Sequence, residues 1–452
     1  MQALALFLVI AAIVFPFYGA RGFKQWCLAM GMLGLPLPIY GTLFHSPHQG
    51  WADGIKITAS NLPLLLLLVH VIMRQGYQRI GRLVVFQAGM LFVVAIALSA
   101  LNSTMLRATG LQMIMVAKVF LLYFCVPALA IQSREDLECA VKWLGIVIVI
   151  EAIYGCAQTL AGYQTYVFNS DGFRPEILIH PNGMARATGT LGYPNAYGGF
   201  LVPLFLLQIC MYLFGGQRGK IRLLSFVAVF IAIICSGSRN AWICLSLSLV
   251  FVLVDAVRRR VITLRTILAM ACVLLILCVP AIGLIRDRLT RSDHNAAESR
   301  IPLAQLALKV IQAHPIIGVG GNTYANVAKD YMDKNLEGMF VSIVHNQYLY
   351  VFAECGIIGL LAWLAIIAAV GNEAKRCYQE VDSNYAYAMG KGALFGVGAM
   401  LMAMLFDMFK SEASLGSMFL LGALCHALRE NVYETGSPNK LAPIQLDCAP
   451  AR

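Results

Sequence analysis

Three kinds of residue that could take part in chemistry lie at the ends of apolar segments in this sequence. His345 and Asn346 begin the apolar run VHNQYLYVFAECGIIGLLAWLAIIAAV at residues 344–370. Arg239 lies in the short polar turn SGSRNAW, and Arg186 lies in a glycine-rich segment before another apolar run. An imidazole can accept a proton from a hydroxyl group, and guanidinium groups bind phosphates bidentately. Together these residues suit a ligand with several negative charges and a hydroxyl to be deprotonated.

Each of these residues also has a purely structural interpretation. An arginine at the end of a membrane span commonly extends to the lipid head groups, and a histidine there can help to cap its helix. Within apolar runs, we interpret Lys118, Glu151 and Glu354 as members of structural ion pairs inside a helical bundle. His314, next to Pro315, is interpreted as a helix-end residue favoured by the helix dipole. The functional hypothesis therefore requires His345, Arg186 and Arg239 to lie close together at one face of the helical bundle.

The composition identifies the elements that must position these residues. The chain is 59% hydrophobic and 13% charged, with a mean hydropathy of +0.73, whereas soluble domains carry about 25% charged residues. We therefore predict an all-α fold: a polytopic integral membrane helical bundle of about 12 (12–13) transmembrane helices with a small helical periplasmic cap. The predicted spans are 3–20, 25–44, 57–73, 83–101, 110–131, 141–160, 195–214, 223–237, 240–256, 266–285, 345–370, 387–406 and 413–428. The first run lacks the basic start and the cleavage site of a signal peptide, so we expect a retained helix.

The basic residues predict the orientation of the bundle. They concentrate in alternate loops, such as 74–82 and 258–265, which the positive-inside rule places in the cytoplasm. The long polar segments 161–194 and 286–344 are then expected to be periplasmic. The net charge of +11 follows from this topology, and no basic patch interleaved with exposed aromatics indicates nucleic-acid binding.

The domain organisation follows from the same pattern. Residues 1–430 are predicted to form a single transmembrane domain, and residues 431–452 a disordered cytoplasmic tail. In the second outer segment, residues 300–315 predict an amphipathic helix that begins at Arg300, and the glycine-rich residues 316–324 predict a turn back to the bilayer. The predicted apolar face of this helix comprises Ile301, Leu303, Leu306, Ala307, Val310 and Ile311.

Cysteine and acidic residues give no indication of a metal or another cofactor. None of the 13 cysteines lies in a predicted outer segment, which excludes an outer surface held by disulfides. No Cys/His spacing is typical of a metal site, and the outer segments contain no Asp-x-Asp pair. We therefore predict a metal-independent protein without a cofactor.

Several of these motifs resemble one known family. RIPLAQLALKVIQAHPIIGVGGNTY and VHNQYLYVFAECGIIGLL resemble the signature of the O-antigen ligase and O-antigen polymerase superfamily, an Arg-initiated helix, a PxxGxGxxxY turn and then HNxxLxxxxExGxxGL. RATGTLGYPNAYGGFL and GSRNAW are similar to the upstream elements of that family. The resemblance covers about residues 180–430, while residues 1–160 match only in hydropathy. Pro302 departs from the pattern, since many relatives carry an aromatic residue near this position.

The resemblance implies an inverting, metal-independent glycosyltransferase. Its donor would be an undecaprenyl-pyrophosphate-linked glycan, and it would act at the periplasmic face of the bacterial inner membrane, in contact with membrane lipid. His345 would be the catalytic base, and Arg186 and Arg239 would bind the pyrophosphate. Further residues that could support the site are Arg300, Asn195 and Asn346. The acceptor would be another glycan for a polymerase, or lipid A-core or a protein for a ligase, and the sequence does not choose between these.

Two questions stay open at the level of sequence. Glu151 or Glu354 could orient His345 only if helix packing brings one of them near it. A secondary transporter would also use many spans and intramembrane charges, and a non-catalytic membrane protein of polysaccharide export is a further alternative. Against transport, the informative polar residues gather at one face of the predicted bundle and the sequence has no internal repeat.

Overall fold

The computed structural model describes most of the chain. The described residues are 22–37, 40–44, 54–162, 186–216, 219–263, 265, 266, 268, 272, 282, 286, 300–332, 344–409 and 411–433. The predicted span 3–20, nearly all of 266–285 and the predicted tail beyond residue 433 lie outside them. So do the central parts of both predicted outer segments, residues 163–185 and 287–299, and residues 333–343.

The described chain is a bundle of helices with one small β-hairpin. The helices are α1 (Phe23–Leu33), α2 (Asn61–Gln75), α3 (Gln78–Gly81), α4 (Val84–Ser99), α5 (Leu106–Phe120), α6 (Val126–Ala130), α7 (Arg134–Ala161), α8 (Pro194–Leu213), α9 (Lys220–Cys235), α10 (Arg239–Arg258), α11 (Arg300–Ala313), α12 (Tyr324–Val327), α13 (Gln347–Glu380), α14 (Asn384–Met404) and α15 (Glu412–Ala427). The π-helical turn Leu121–Cys125 joins α5 to α6, and a second, Leu428–Tyr433, extends α15. Strands β1 (Tyr40–Leu43) and β2 (Ile55–Thr58) pair antiparallel.

The prediction of an all-α membrane bundle is confirmed. Within the described residues, seven helical segments are long and apolar enough to cross a membrane, and the chain is an integral membrane protein. The seven are Val84–Asn102, Leu106–Ala130, Arg134–Ala161, Pro194–Leu213, Arg239–Arg258, Gln347–Glu380 and Asn384–Met404. The count of twelve to thirteen is not confirmed, since Asn61–Gln75 and Arg222–Cys235 are apolar but shorter.

One predicted span has a different structure. Residues 25–44 were expected to cross the bilayer, but α1 ends at Leu33 and the chain continues through a turn to β1. Gly34 lies so close to α2 that a Cβ there would be 2.6 Å from the backbone nitrogen of Ser60. Pro36 follows, and proline disfavours continuation of a helix. An apolar composition therefore identified a buried segment here but not its conformation.

A second predicted span, residues 345–370, is broken in the middle. Gly356 interrupts α13 with a φ of 65° and a ψ of −168°, and the backbone of residues 315–320 fills the gap. Val319 and Gly320 donate to the carbonyls of Ala353 and Glu354, each at 3.0 Å, and the backbone of Ile357 donates to Pro315 at 2.9 Å. Broken backbone inside a membrane is tolerated where protein satisfies its polar groups. The glycine-rich turn therefore supports a separately oriented first half of α13.

The amphipathic cap helix is confirmed as α11. Leu303, Leu306, Ala307, Val310 and Ile311 are buried, and they pack in one cluster with the first half of α13. Ile301 was expected on this face, but it is 67% exposed because it lies at the first turn, before the contact with α13 begins. The cap helix therefore packs on the half-helix that follows His345.

Candidate active site

His345 lies in the link that leads into α13. Its backbone has a φ of 53°, a left-handed conformation that is uncommon for a residue other than glycine and often marks functional sites. The next residue, Asn346, is the N-cap of α13, where its Oδ1 accepts a hydrogen bond from the backbone of Leu349 at 3.0 Å. Its Nδ2 donates to the carbonyl of Leu405 at 3.1 Å. The cap therefore fixes the imidazole against the segment that follows α14.

That segment brings a carboxylate to the imidazole. His345 Nδ1 lies 3.4 Å from Asp407 Oδ1, and the His345 side chain is 30% exposed. A second contact holds the same two stretches together two residues further along each, where Gln347 Oε1 accepts from the backbone of Phe409 at 3.2 Å. Both Gln347 and Phe409 are buried. Asp407 is therefore held beside a partly accessible histidine.

Asp407 also connects the histidine to α8 and α10. Asn195 Nδ2 donates to Asp407 Oδ2 at 2.6 Å, and Ser238 Oγ donates to Asn195 Oδ1 at 2.8 Å. Ser238 is the N-cap of α10, whose first residue is Arg239. A continuous chain of hydrogen bonds thus runs from His345 to the residue before Arg239.

Arg186 contacts the turn that precedes Arg239. Its Nε donates to the carbonyl of Ser236 at 2.9 Å, and its Nη2 donates to the carbonyl of Gly237 at 3.2 Å. The backbone of Ala187 donates to the carbonyl of Cys235 at 2.9 Å. The structure therefore places both predicted arginines, Arg186 and Arg239, at the turn between α9 and α10.

The loop that carries Arg186 is fastened to α7. Gln158 Oε1 accepts hydrogen bonds from the backbone of Thr188 at 3.1 Å and of Gly189 at 2.9 Å. Glu151 accepts from the backbone and hydroxyl of Thr190 at 2.9 and 2.6 Å. Gly189 has a φ of 55°, and a Cβ there would lie 2.2 Å from a Glu151 oxygen. Glycine at position 189 therefore allows the loop to pack closely against α7.

The intramembrane charges have identifiable structural roles. Lys118 forms an ion pair with Glu412, as expected of a structural pair. Glu151 binds the loop that carries Arg186, and Glu354 accepts a hydrogen bond from Gln112 Nε2 at 3.0 Å. In the structure the carboxylate beside His345 is therefore that of neither Glu151 nor Glu354.

Three helices begin at this network. Asn195 is the second residue of α8, Ser238 caps α10 and Asn346 caps α13. The N-terminus of a helix presents backbone N–H groups and the positive end of the helix dipole. Three such termini, with two arginines beside them, favour an anion at this position. The first half of α13 resembles the half-helices that direct their N-termini at anionic groups inside membrane proteins.

Arg300 is not joined to this network by any hydrogen bond in the part of the chain that the structure describes. It begins α11, and its Nε is buried without a hydrogen-bond partner there. His314 lies at the end of the same helix, where its Nε2 is 3.1 Å from the hydroxyl of Tyr331. These two residues belong to the cap.

The sequence interpretation missed Asp407 and did not single out Ser238 or Gln347. Asp407 had one local signal, because it is an acidic residue in the short turn FDMFKSE between two apolar spans. Ser238 stands directly before Arg239, in the N-cap position that serine favours. Gln347 had no signal, since a glutamine at the start of a span is ordinary. Among the described residues, no group of three or more His, Cys, Asp or Glu side chains could hold a metal ion.

The fold and the site define an integral membrane protein with a polar, anion-favouring site where several helices begin. The family model for O-antigen ligase matches residues 198–364, a segment that contains Arg239, Arg300 and His345. This match confirms the similarity of the chain to the O-antigen ligase and polymerase superfamily, and it supports a membrane enzyme of that type. Arg186, Asn195 and Asp407 lie outside the matched segment. No curated protein matches the chain.

Proposed function

We propose that this protein transfers a glycan from an undecaprenyl-pyrophosphate carrier to an acceptor hydroxyl, with inversion at the anomeric carbon and without a metal ion. The reaction takes place at the periplasmic face of the bacterial inner membrane. The single observation that carries the proposal is the hydrogen-bonded chain His345–Asp407–Asn195–Ser238, because it joins a partly exposed base to the turn that Arg186 contacts and that Arg239 follows.

His345 acts as the general base. An inverting transfer needs a group that removes the proton of the acceptor hydroxyl as it attacks the anomeric carbon. Asp407 accepts from Nδ1–H of His345, and this fixes the tautomer whose Nε2 takes up the proton. The carboxylate then stabilises the imidazolium that forms, in the manner of a carboxylate beside a catalytic histidine. The separation of 3.4 Å is long for a hydrogen bond, and such contacts commonly shorten when substrate binds.

Arg186 and Arg239 stabilise the leaving pyrophosphate. Charge develops on the leaving group as the glycosidic bond breaks, so fixed positive groups lower the barrier. The carbonyls of Ser236 and Gly237 orient the guanidinium of Arg186. Arg239 is the first residue of α10, where the positive end of the helix dipole adds to the charge of its guanidinium. These groups supply the positive charge that a divalent ion supplies in other transferases.

The proposal is tested by transfer in a purified system. The protein in nanodiscs receives a purified lipid-linked oligosaccharide and, in separate reactions, a second lipid-linked oligosaccharide, lipid A-core or a candidate acceptor protein. We expect one acceptor to be glycosylated with inverted anomeric configuration, and the identity of that acceptor distinguishes a polymerase from a ligase.

Two controls accompany this assay. EDTA should leave the rate unchanged, and a reaction restored only by added Mg²⁺ or Mn²⁺ would refute metal independence. Failure of every acceptor, together with uptake of a solute by vesicles that contain the protein, would replace transfer with transport.

A further inference from the structure

Asn240 connects the first turn of α10 to the end of α14. Its Nδ2 donates to the carbonyl of Ala403 at 3.0 Å. Ala403 lies in the last turn of α14, and its carbonyl also accepts from the backbone of Phe406 at 3.1 Å and of Asp407 at 3.0 Å. One carbonyl therefore binds both the side chain of Asn240 and the backbone of the residue that lies beside His345.

This bond is the second of two connections between α10 and Asp407. The first begins at Ser238 and reaches the carboxylate of Asp407 through the side chain of Asn195. The second begins at Asn240 and reaches the backbone of Asp407 through the shared carbonyl. Ser238 and Asn240 are the two neighbours of Arg239 in the chain. The turn that carries Arg239 therefore holds both the carboxylate and the backbone of Asp407.

Asp407 depends on such contacts because it lies in a link between two helices. The link runs from the end of α14 at Met404 to the start of α15 at Glu412. Helix α13 binds it at Leu405 and at Phe409, one on either side of Asp407, and α10 binds the carbonyl at its start. Asn240 is only 8% exposed, so water cannot readily replace its hydrogen bond.

We propose that Asn240 is a positioning residue for the transfer reaction. It holds the Asp407 carboxylate in place beside His345 and at a constant distance from Arg239. This inference rests on the proposed function, because Asn240 has such a role only if Asp407 supports a catalytic base. A displacement of about 1 Å in a catalytic group is enough to lower turnover by about 10²-fold.

A purely structural role for Asn240 makes a different prediction. The last carbonyls of a helix have no partners within the helix and need other donors in a membrane, and Asn240 supplies one to α14. In that role its loss would lower stability, whether or not Asp407 is present. Only the positioning role acts on turnover through Asp407.

The test is a double-mutant cycle in the purified transfer assay. Asn240→Leu removes the donor and keeps the volume of the side chain, and it should lower kcat by about 10-fold. The KM for the donor should change by less than about twofold, because other contacts hold Arg186 and Arg239. In a protein that already carries Asp407→Asn, Asn240→Leu should lower kcat by less than about twofold, since the carboxylate to be positioned is absent.

Gln208→Met is the matched control. Gln208 is a buried amide of α8, and its Nε2 donates to the carbonyl of Val141 in α7 at 3.1 Å. This bond also joins two helices but does not involve the link that contains Asp407, so kcat should stay within about twofold of the natural value. Asn240→Ala separates bonding from packing. It also lacks the donor and should therefore lower kcat as much as Asn240→Leu does.

Three results would overturn the inference while the transferase proposal stands. The first is an equal loss of kcat with and without Asp407→Asn, because Asn240 would then act independently of Asp407. The second is a loss in Asn240→Ala but not in Asn240→Leu, which would assign the effect to packing. The third is a lower unfolding temperature with normal kcat, the result expected of a helix end. If Asp407→Asn alone leaves kcat unchanged, the proposed support of His345 is itself wrong, and the positioning role is excluded with it.

Discussion

Two histidine–carboxylate pairs at opposite ends of the bundle have different surroundings. His426 Nδ1 lies 3.1 Å from Glu373, and Arg429 Nη2 lies 3.0 Å from the same carboxylate. Arg429 is only 6% exposed and also pairs with Glu380. At the other end, the described hydrogen bonds to Asp407 side-chain oxygens come from the amide of Asn195, the backbone of Met408 and the imidazole of His345.

The difference shows which pair is suited to chemistry. At the His426 pair an arginine neutralises the carboxylate, and the His426 side chain is 13% exposed, so the cluster holds α13 and α15 together. At the His345 pair the donors to the carboxylate other than the histidine are uncharged, and the imidazole is 30% exposed. A base must reach its substrate and needs a carboxylate that can stabilise the charge it acquires. Only the His345 pair meets both conditions.

The largest expected effect is the loss of the base itself. His345→Ala should lower kcat by about 10²–10⁴-fold, the usual contribution of a positioned base, while donor binding changes little because other groups hold the pyrophosphate. The measurement is transfer by purified protein, with donor binding followed separately. His426→Ala and His314→Ala are the matched controls and should change kcat by less than a few-fold. Near-normal transfer by His345→Ala would show that His345, like His426, is not needed for the reaction, and His345 would then not be the general base.

Removal of the carboxylate should have the next largest effect. Asp407→Asn should lower kcat on the order of 10²-fold, since the amide cannot stabilise an imidazolium, with a smaller change in KM. Asp330→Asn in the cap provides the control, because this residue is exposed. If Asp407→Asn changes only the yield of folded protein and not kcat, Asp407 is structural, like Glu373.

The arginines should affect binding and turnover together. Arg186→Ala and Arg239→Ala should each lower kcat/KM by about 10- to 100-fold, the contribution of a hydrogen bond to a charged group, with part of the loss in donor affinity. Arg134→Ala is the control, because this arginine pairs with Glu138 on an exposed face. Unchanged donor affinity in both variants would place the pyrophosphate elsewhere.

The smallest effect on transfer is expected at the other pair. Glu373→Gln should lower stability by less than the about 3–5 kcal/mol of a broken buried pair, because Glu380 and Glu430 still contact Arg429. The rate of transfer per folded molecule should not change. Thermal unfolding in detergent and the transfer assay measure the two quantities. A large fall in kcat without loss of stability would contradict the structural role.

The sequence predicted those parts of the fold and site that depend on short stretches of the chain, but not those that depend on contacts between distant residues. The apolar runs of about twenty residues predicted most described spans, and the polar residues at their ends singled out His345, Arg186 and Arg239. The break at Gly356 was not predicted, because one glycine in an apolar run does not by itself end a helix and the hydrogen bonds that support the break come from residues 315–320, distant in sequence. Asp407 was missed for a similar reason, since its partner His345 lies 62 positions away in sequence.

The residues that support α13 and complete the site come from distant parts of the chain, and this affects when the site can form during synthesis. The first half of α13 is supported by the turn at residues 315–320. The carbonyl of Gly318 in this turn accepts a hydrogen bond from Asn102, and Gly321, the next residue after the turn, donates to Ser99 at the end of α4. Asn195 and its partner Asp407 are separated by 212 positions, and Asp407 is the last member of the network to leave the ribosome. A chain that stops anywhere before residue 407 can insert its earlier helices but carries an incomplete site. The site is thus completed only after Asp407 has been synthesised, so a nascent chain that still ends within α14 lacks the carboxylate that lies beside His345.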